Sequence, residues 1–129
     1  MQGKDKQMNK FLFLLSLAAI LVGCGSGGVD QSDPKAVTAA YFNAYASGDA
    51  ETQLKLIRGF DERESQMMRD IAALFKEGKQ FSAKVVSNDV RLEKKGDYTT
   101  GFMMLEVNGE KKEMWARMKM FDGRWFVVK

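Results

Sequence analysis

Apolar residues follow three rhythms along this chain, and each rhythm predicts a different kind of element. A nearly continuous apolar run from Phe11 to Val22 stands behind Lys4, Lys6 and Lys10. Between Asp33 and Gly78 apolar positions return at every third or fourth residue, the period of a helix with one buried stripe. Beyond Gly78 they alternate, the period of a strand with one covered face. The stretch from Gly25 to Ser32 is glycine, serine, aspartate and glutamine with one valine, a composition that makes a flexible coil.

The helical part divides at its caps. Asp33 followed by Pro34 satisfies and pre-sets a helix start, and Val37, Ala40, Tyr41, Ala44 and Tyr45 form the stripe of a first helix stopped by Gly48. Asp49 caps a short second helix with Ala50, Leu54 and Ile57, ending near Gly59. Asp61 with Glu64 three residues on is a capping box for a third, whose stripe is Met67, Met68, Ile71, Leu74 and Phe75 before Gly78.

Turns at Gly96, Gly109 and Gly123 divide the alternating part into four strands. Asn108-Gly109 and Asp122-Gly123 suit two-residue turns that need positive φ at both central positions, and such turns fix register. Met103 then opposes Met114, Phe102 opposes Trp115, Met118 opposes Val127, and Met120 opposes Trp125. One face carries Met103, Leu105, Val107, Met114, Ala116, Met118, Met120, Trp125 and Val127, which the helices are expected to cover. The other mixes Phe102, Trp115, Phe121 and Phe126 with Glu113, Arg117, Lys119 and Arg124. In the first strand Phe81, Ala83 and Val85 alternate in one phase and Val86, Val90 and Leu92 in the other, so a bulge or bend is expected between Ser87 and Asp89.

The apolar run closes on Leu21-Val22-Gly23-Cys24, and Cys24 is the only cysteine of the 129 residues. A basic start, an apolar centre and small residues at the end make a secretory signal, too short for a bilayer span of about 20 residues. With cysteine at the cleavage point the pattern resembles a bacterial lipoprotein signal. The resemblance implies cleavage after Gly23, diacylglycerol on the Cys24 thiol and an acylated new amino terminus. Two or three acyl chains hold a protein at a membrane without a span. In two-membrane bacteria Gly25, where an aspartate would retain the protein at the inner membrane, points to the periplasmic side of the outer membrane. Met8 offers an alternative start. The expected organisation is a signal peptide over 1–23, lipidated cysteine and tether over 24–32, and one domain over 33–129.

Charge and composition narrow the function classes. The formal net charge of +3 falls to about +1 once the signal leaves with three lysines and one aspartate. Lys94-Lys95 and Lys111-Lys112 are short pairs beside acidic residues, not the clustered basic face that nucleic acid requires. A lone cysteine forms no disulfide within the chain.

The order of parts, with Ala44-Tyr45-Ala46-Ser47-Gly48-Asp49 at the first helix junction and Phe121-Asp122-Gly123-Arg124-Trp125 at the last turn, resembles small bacterial lipoproteins carrying a nuclear transport factor 2-like domain. The group includes members with no assigned function and others described as lumazine-binding-like. The resemblance implies an α+β cone, with N-terminal helices packed on a curved four-stranded antiparallel sheet and a cavity between the two layers. It implies also that the outer sheet face is a common place for dimer contacts. Fold supplies no mechanism by itself.

Chemistry is sparse. With no histidine in the chain, proton transfer near neutral pH falls to a carboxylate, lysine or tyrosine of shifted pKa. Asp89, Asp97 and Glu110 sit at expected bends, and Tyr41, Tyr45 and Tyr98 are the phenols. Met103, Met114, Met118 and Met120 share one face, and thioethers select copper(I), although methionine is also an ordinary core filler. No catalytic residue, cofactor or resident metal is assigned. The sequence reads as a membrane-anchored envelope lipoprotein, a non-catalytic binding or accessory module for a protein partner or a small apolar ligand. Phe102, Trp115, Arg117, Phe121 and Phe126 form its candidate interaction face, toward a second copy or another protein. The alternatives are an isomerase- or hydrolase-like enzyme using a buried carboxylate in the cone, and a methionine-based copper(I) binder.

Overall fold

Helix α1 (Pro34–Ser47) begins where Asp33 accepts a hydrogen bond from the Lys35 amide at 2.9 Å and ends at Gly48, whose φ of 74° closes the last turn. The structure is a computed structural model, and it describes residues 28–78 and 81–129. Gly23, Cys24 and the apolar run before them lie outside the described residues. Residues Gln31–Lys129 form one unit, and Gly28–Asp30 fall in a separate one.

Helix α2 (Ala50–Lys55) starts at Asp49, whose carboxylate accepts from the Thr52 amide at 3.1 Å and the Thr52 hydroxyl at 2.6 Å. Helix α3 (Glu62–Glu77) carries the full capping box, with Asp61 and Glu64 each accepting from the other's backbone N–H, and ends at Gly78. The expected end of α2 near Gly59 is corrected to Lys55. After Leu56 the backbone turns extended, and Ile57 bridges Val127 in parallel while the Arg58 N–H donates to the Val127 carbonyl at 2.9 Å. Pairing with a sheet edge satisfies these backbone groups better than further helical turns would.

The sheet is antiparallel. Strand β1 (Ala83–Val85) and strand β2 (Arg91–Lys95) both pair with β3 (Tyr98–Val107), which pairs with β4 (Glu110–Phe121), which pairs with β5 (Arg124–Val127). β1 and β2 are the two halves of the first long strand, broken over residues 86–90 where the alternation changes phase. Asn43 Nδ2 donates to Asn88 Oδ1 at 2.9 Å across that break. The hairpin registers follow the two turns, with Met103 opposite Met114 and Met120 opposite Trp125. Asn108 and Asp122 both take φ of 51° ahead of their glycines.

The core lies between α1 and the concave sheet face. Met103, Leu105, Ala116, Met118 and Val127 are buried there under Val37, Thr38 and Phe42. α1 is therefore covered on two sides: Val37, Thr38 and Phe42 meet the sheet, while Tyr41 and Tyr45 turn toward α3. A single stripe was expected, so Thr38 and Phe42 were missing from it. The covered strip ends before the far turn, and Met120 remains exposed. Helix and sheet approach closely at Gly101, where a Cβ would lie 2.0 Å from the Thr38 hydroxyl oxygen.

A cavity among the helices and an aromatic sheet face

The third helix leaves much of its apolar stripe uncovered. Ala72 is buried and Phe75 stacks on Tyr45 at 4.8 Å between ring centroids, yet Met67 is 54% exposed and Ile71 47%. α3 leans on α1 and α2 through one edge of the stripe, and a cavity of about 260 Å³ opens beside that contact. Its walls come from α3 (Glu64, Met67, Met68, Ile71, Ala72, Phe75), α1 (Tyr41, Tyr45), Gln53 of α2 and Phe60. Among the described residues the lining includes no strand residue, so this cavity belongs to the helical layer and not to the space between helices and sheet that the resemblance implied.

Four of its walls are aromatic and most of the rest are thioether or alkyl. Burial raises the pKa of the Tyr41 hydroxyl, with the neighbouring Tyr45 adding to it, and burial likewise raises that of Tyr45, so both stay neutral phenols near pH 7. Glu64 is the one charged group of the lining among the described residues. The Asp61 backbone N–H, then Lys129, whose Nζ lies 3.0 Å from a carboxylate oxygen, hold its pKa below the usual carboxylate range. A general acid or base needs a pKa moved the other way, toward neutrality. The bend and turn carboxylates Asp89, Asp97 and Glu110 are exposed, and Tyr98 lies on the outer sheet face under Arg117, 4.8 Å from its ring centroid. Sequence reasoning found Tyr41, Tyr45 and the methionines of α3 but placed them on helical stripes expected to be buried. Gln53 was missed altogether, and its place opposite Leu54 on a short helix gave no sign of burial.

The candidate interaction face is convex and dense with cations. Arg91 stacks on Phe102 at 4.0 Å while pairing with Glu93 and Glu113. Arg58, next to the β5 edge, lies over Phe121 at 4.6 Å and Phe126 at 5.3 Å, and Arg124 also lies 5.3 Å from the Phe126 ring centroid. Phe126 is consequently buried within the chain and offers little free surface. Arg117 is exposed, and Trp115 stands out of this layer at 65% exposure. On the concave face Met103 and Met118 are sealed in the core, where the Met118 sulfur lies 3.5 Å from the Thr38 hydroxyl, while Met120 sits outside it. Among the described residues no helix is long and apolar enough to cross a membrane.

No family model and no curated protein matches the chain. Among solved structures it is similar to a nuclear transport factor 2-like protein from Campylobacter jejuni that bears a provisional transpeptidase name. That likeness has 12% identity, a TM-score of 0.55, and coverage of 75% of this chain and 98% of the other. A Mycobacterium tuberculosis protein of unknown function is 21% identical at a TM-score of 0.48, covering 72% of this chain and 68% of that one. A nuclear transport factor 2-like protein from Cytophaga hutchinsonii is 19% identical at 0.45, covering 71% and 88%. The first of these likenesses joins the three helices and the curled antiparallel sheet already described, and at such identity it speaks for architecture alone: the chain has the nuclear transport factor 2-like fold.

Proposed function

We propose that this protein is a lipid-anchored envelope lipoprotein whose domain acts without catalysis, holding a small apolar ligand in the cavity among its helices. The cavity carries the reading. It is concave, walled by aromatic rings, thioethers and alkyl groups, and close to the lower end of the 300–1,000 Å³ common for ligand sites, at about 260 Å³. Glu64, its only carboxylate among the described residues, is held ionised and paired, which favours binding over the acid–base alternative. The anchor through Cys24 and a place on the periplasmic side of the outer membrane rest on the signal pattern. Methionine ε-methyl NMR of the full chain in phosphatidylcholine nanodiscs, titrated with naphthalene, tests the ligand reading. Saturable shifts are expected at Met67 and Met68 and not at the core residues Met103 and Met118. Uniform shifts, or none, would reject the cavity as a site.

The exposure of Trp115 favours a second reading, in which the outer sheet face engages a protein partner or a second copy of the chain. Phe102, opposite Trp115 in the register, and Arg117 on the same strand flank that contact, and Phe121 and Phe126 extend the face toward the last turn.

A further inference from the structure

The cavity contains a group that purely apolar binding does not need. Gln53 lines it, is only 3% exposed, and its side-chain amide makes no hydrogen bond to any described residue. An amide buried in that way has lost water at both its donor and its acceptor and regained nothing, a cost that exceeds what one hydrogen bond ordinarily returns. Glu64 cannot supply the missing partner at no cost, because Oε1 already accepts from the Asp61 N–H at 3.0 Å and both oxygens lie within 3.1 Å of Lys129 Nζ. The remaining polar side-chain atoms of the lining among the described residues are the two tyrosine hydroxyls. Among the described residues no lysine or arginine lines the cavity. A ligand that enters with a negative head therefore meets a carboxylate and no cation, whereas an uncharged head that both donates and accepts matches the Gln53 amide group for group.

We propose that the cavity is built for a small apolar molecule, aromatic or alkyl, ending in one uncharged donor–acceptor head of the carboxamide kind, and that Gln53 selects that head. This assignment rests on the ligand-binding reading above and names its ligand class. Selection works through the unpaired state: a ligand without the head leaves the amide unsatisfied, and one with the head satisfies both its edges. The same reasoning gives Gln53 a cost in the empty protein, so replacing it by an apolar residue of similar length relieves that cost.

Three probes of one ring system separate the possibilities in the full chain in nanodiscs, read at the Met67 and Met68 methyls: naphthalene, 2-naphthamide and 2-naphthoate. The amide is expected to bind roughly tenfold tighter than naphthalene, and the carboxylate at least roughly tenfold weaker than the amide. In Gln53→Leu and Gln53→Met the amide is expected to fall to the level of naphthalene, naphthalene binding to persist, and the thermal midpoint of the empty protein to rise. Equal affinity for amide and naphthalene, a preference that survives both substitutions, or a carboxylate as tight as the amide would overturn the assignment while leaving apolar binding in place. Failure of all three probes, with the cavity closed by a second copy in sedimentation, would overturn both the assignment and the reading beneath it.

Discussion

Gly101 and Thr38 show how a single contact sets the distance between layers. The Thr38 hydroxyl donates to the Pro34 carbonyl at 2.8 Å, and its side chain occupies the space that a Cβ at position 101 would need. Both neighbours are held from elsewhere, Thr38 by the helix and Gly101 by the pairing with Leu92 and Ala116, so neither yields easily. Gly101→Ala is expected to destabilise the domain by about 1–3 kcal/mol through overpacking. That lowers the thermal midpoint by roughly 4–8 °C for each kcal/mol, and circular dichroism melting against the parent chain checks it. An unchanged midpoint would mean that helix and sheet are looser than described. Nothing in the sequence marked this glycine, because its requirement comes from an element some sixty residues away. The turn residues Asn108 and Asp122 were legible, since their positive φ is a local demand met by local chemistry.

Element boundaries were readable wherever a cap fixed them. Asp33 with Pro34, Asp49, and Asp61 with Glu64 start the helices where their side chains accept backbone N–H groups, and Gly48 and Gly78 stop two of them. The end of α2 was not readable, because it is set by the β5 edge that Leu56 to Arg58 cover. The break between β1 and β2 showed as a change of phase, while the exposure of α3 did not show at all: a stripe reports what could be buried, not whether a partner layer reaches it. The caps also carry a pH dependence. Hydrogen bonds from the Thr52 side chain and backbone lower the Asp49 pKa from 3.8, and the Asp61 N–H, with Lys129, lowers that of Glu64 from 4.5. Groups with depressed folded pKa add stability that is complete above their unfolded values and is lost as the pH falls through the folded ones. The urea midpoint is therefore expected to hold steady from pH 7 to about 5 and to decline below about 4.5. In the Asp49→Asn, Glu64→Gln double variant that decline should be shallower, asparagine still serving as an N-cap. An equal slope would assign the acid sensitivity to other carboxylates.

Over the whole domain two surfaces compete for the functional role, and they differ in how far they are already satisfied. On the convex sheet face Arg91, Arg58 and Arg124 cover most of the aromatic rings, leaving Trp115 as the free one. If that face joins copies of the chain, sedimentation velocity should show a concentration-dependent dimer that Trp115→Ser abolishes; a strict monomer at all concentrations would count against it. The helical cavity stays open among the described residues, and its buried amide lacks a partner among them. The sheet face was legible because two turns fixed the registers of β3 with β4 and of β4 with β5, whereas the cavity depends on how three helices lean together, which no one-dimensional pattern carries. Native mass spectrometry of the protein isolated from the cells that make it asks the decisive question in one spectrum. A mature chain starting at Cys24, increased by the mass of its acyl groups and carrying a single non-covalent small-molecule adduct that Met68→Trp eliminates, is the expected result. A chain without acyl mass, or an acylated chain that is empty or keeps its adduct in Met68→Trp, would contradict it.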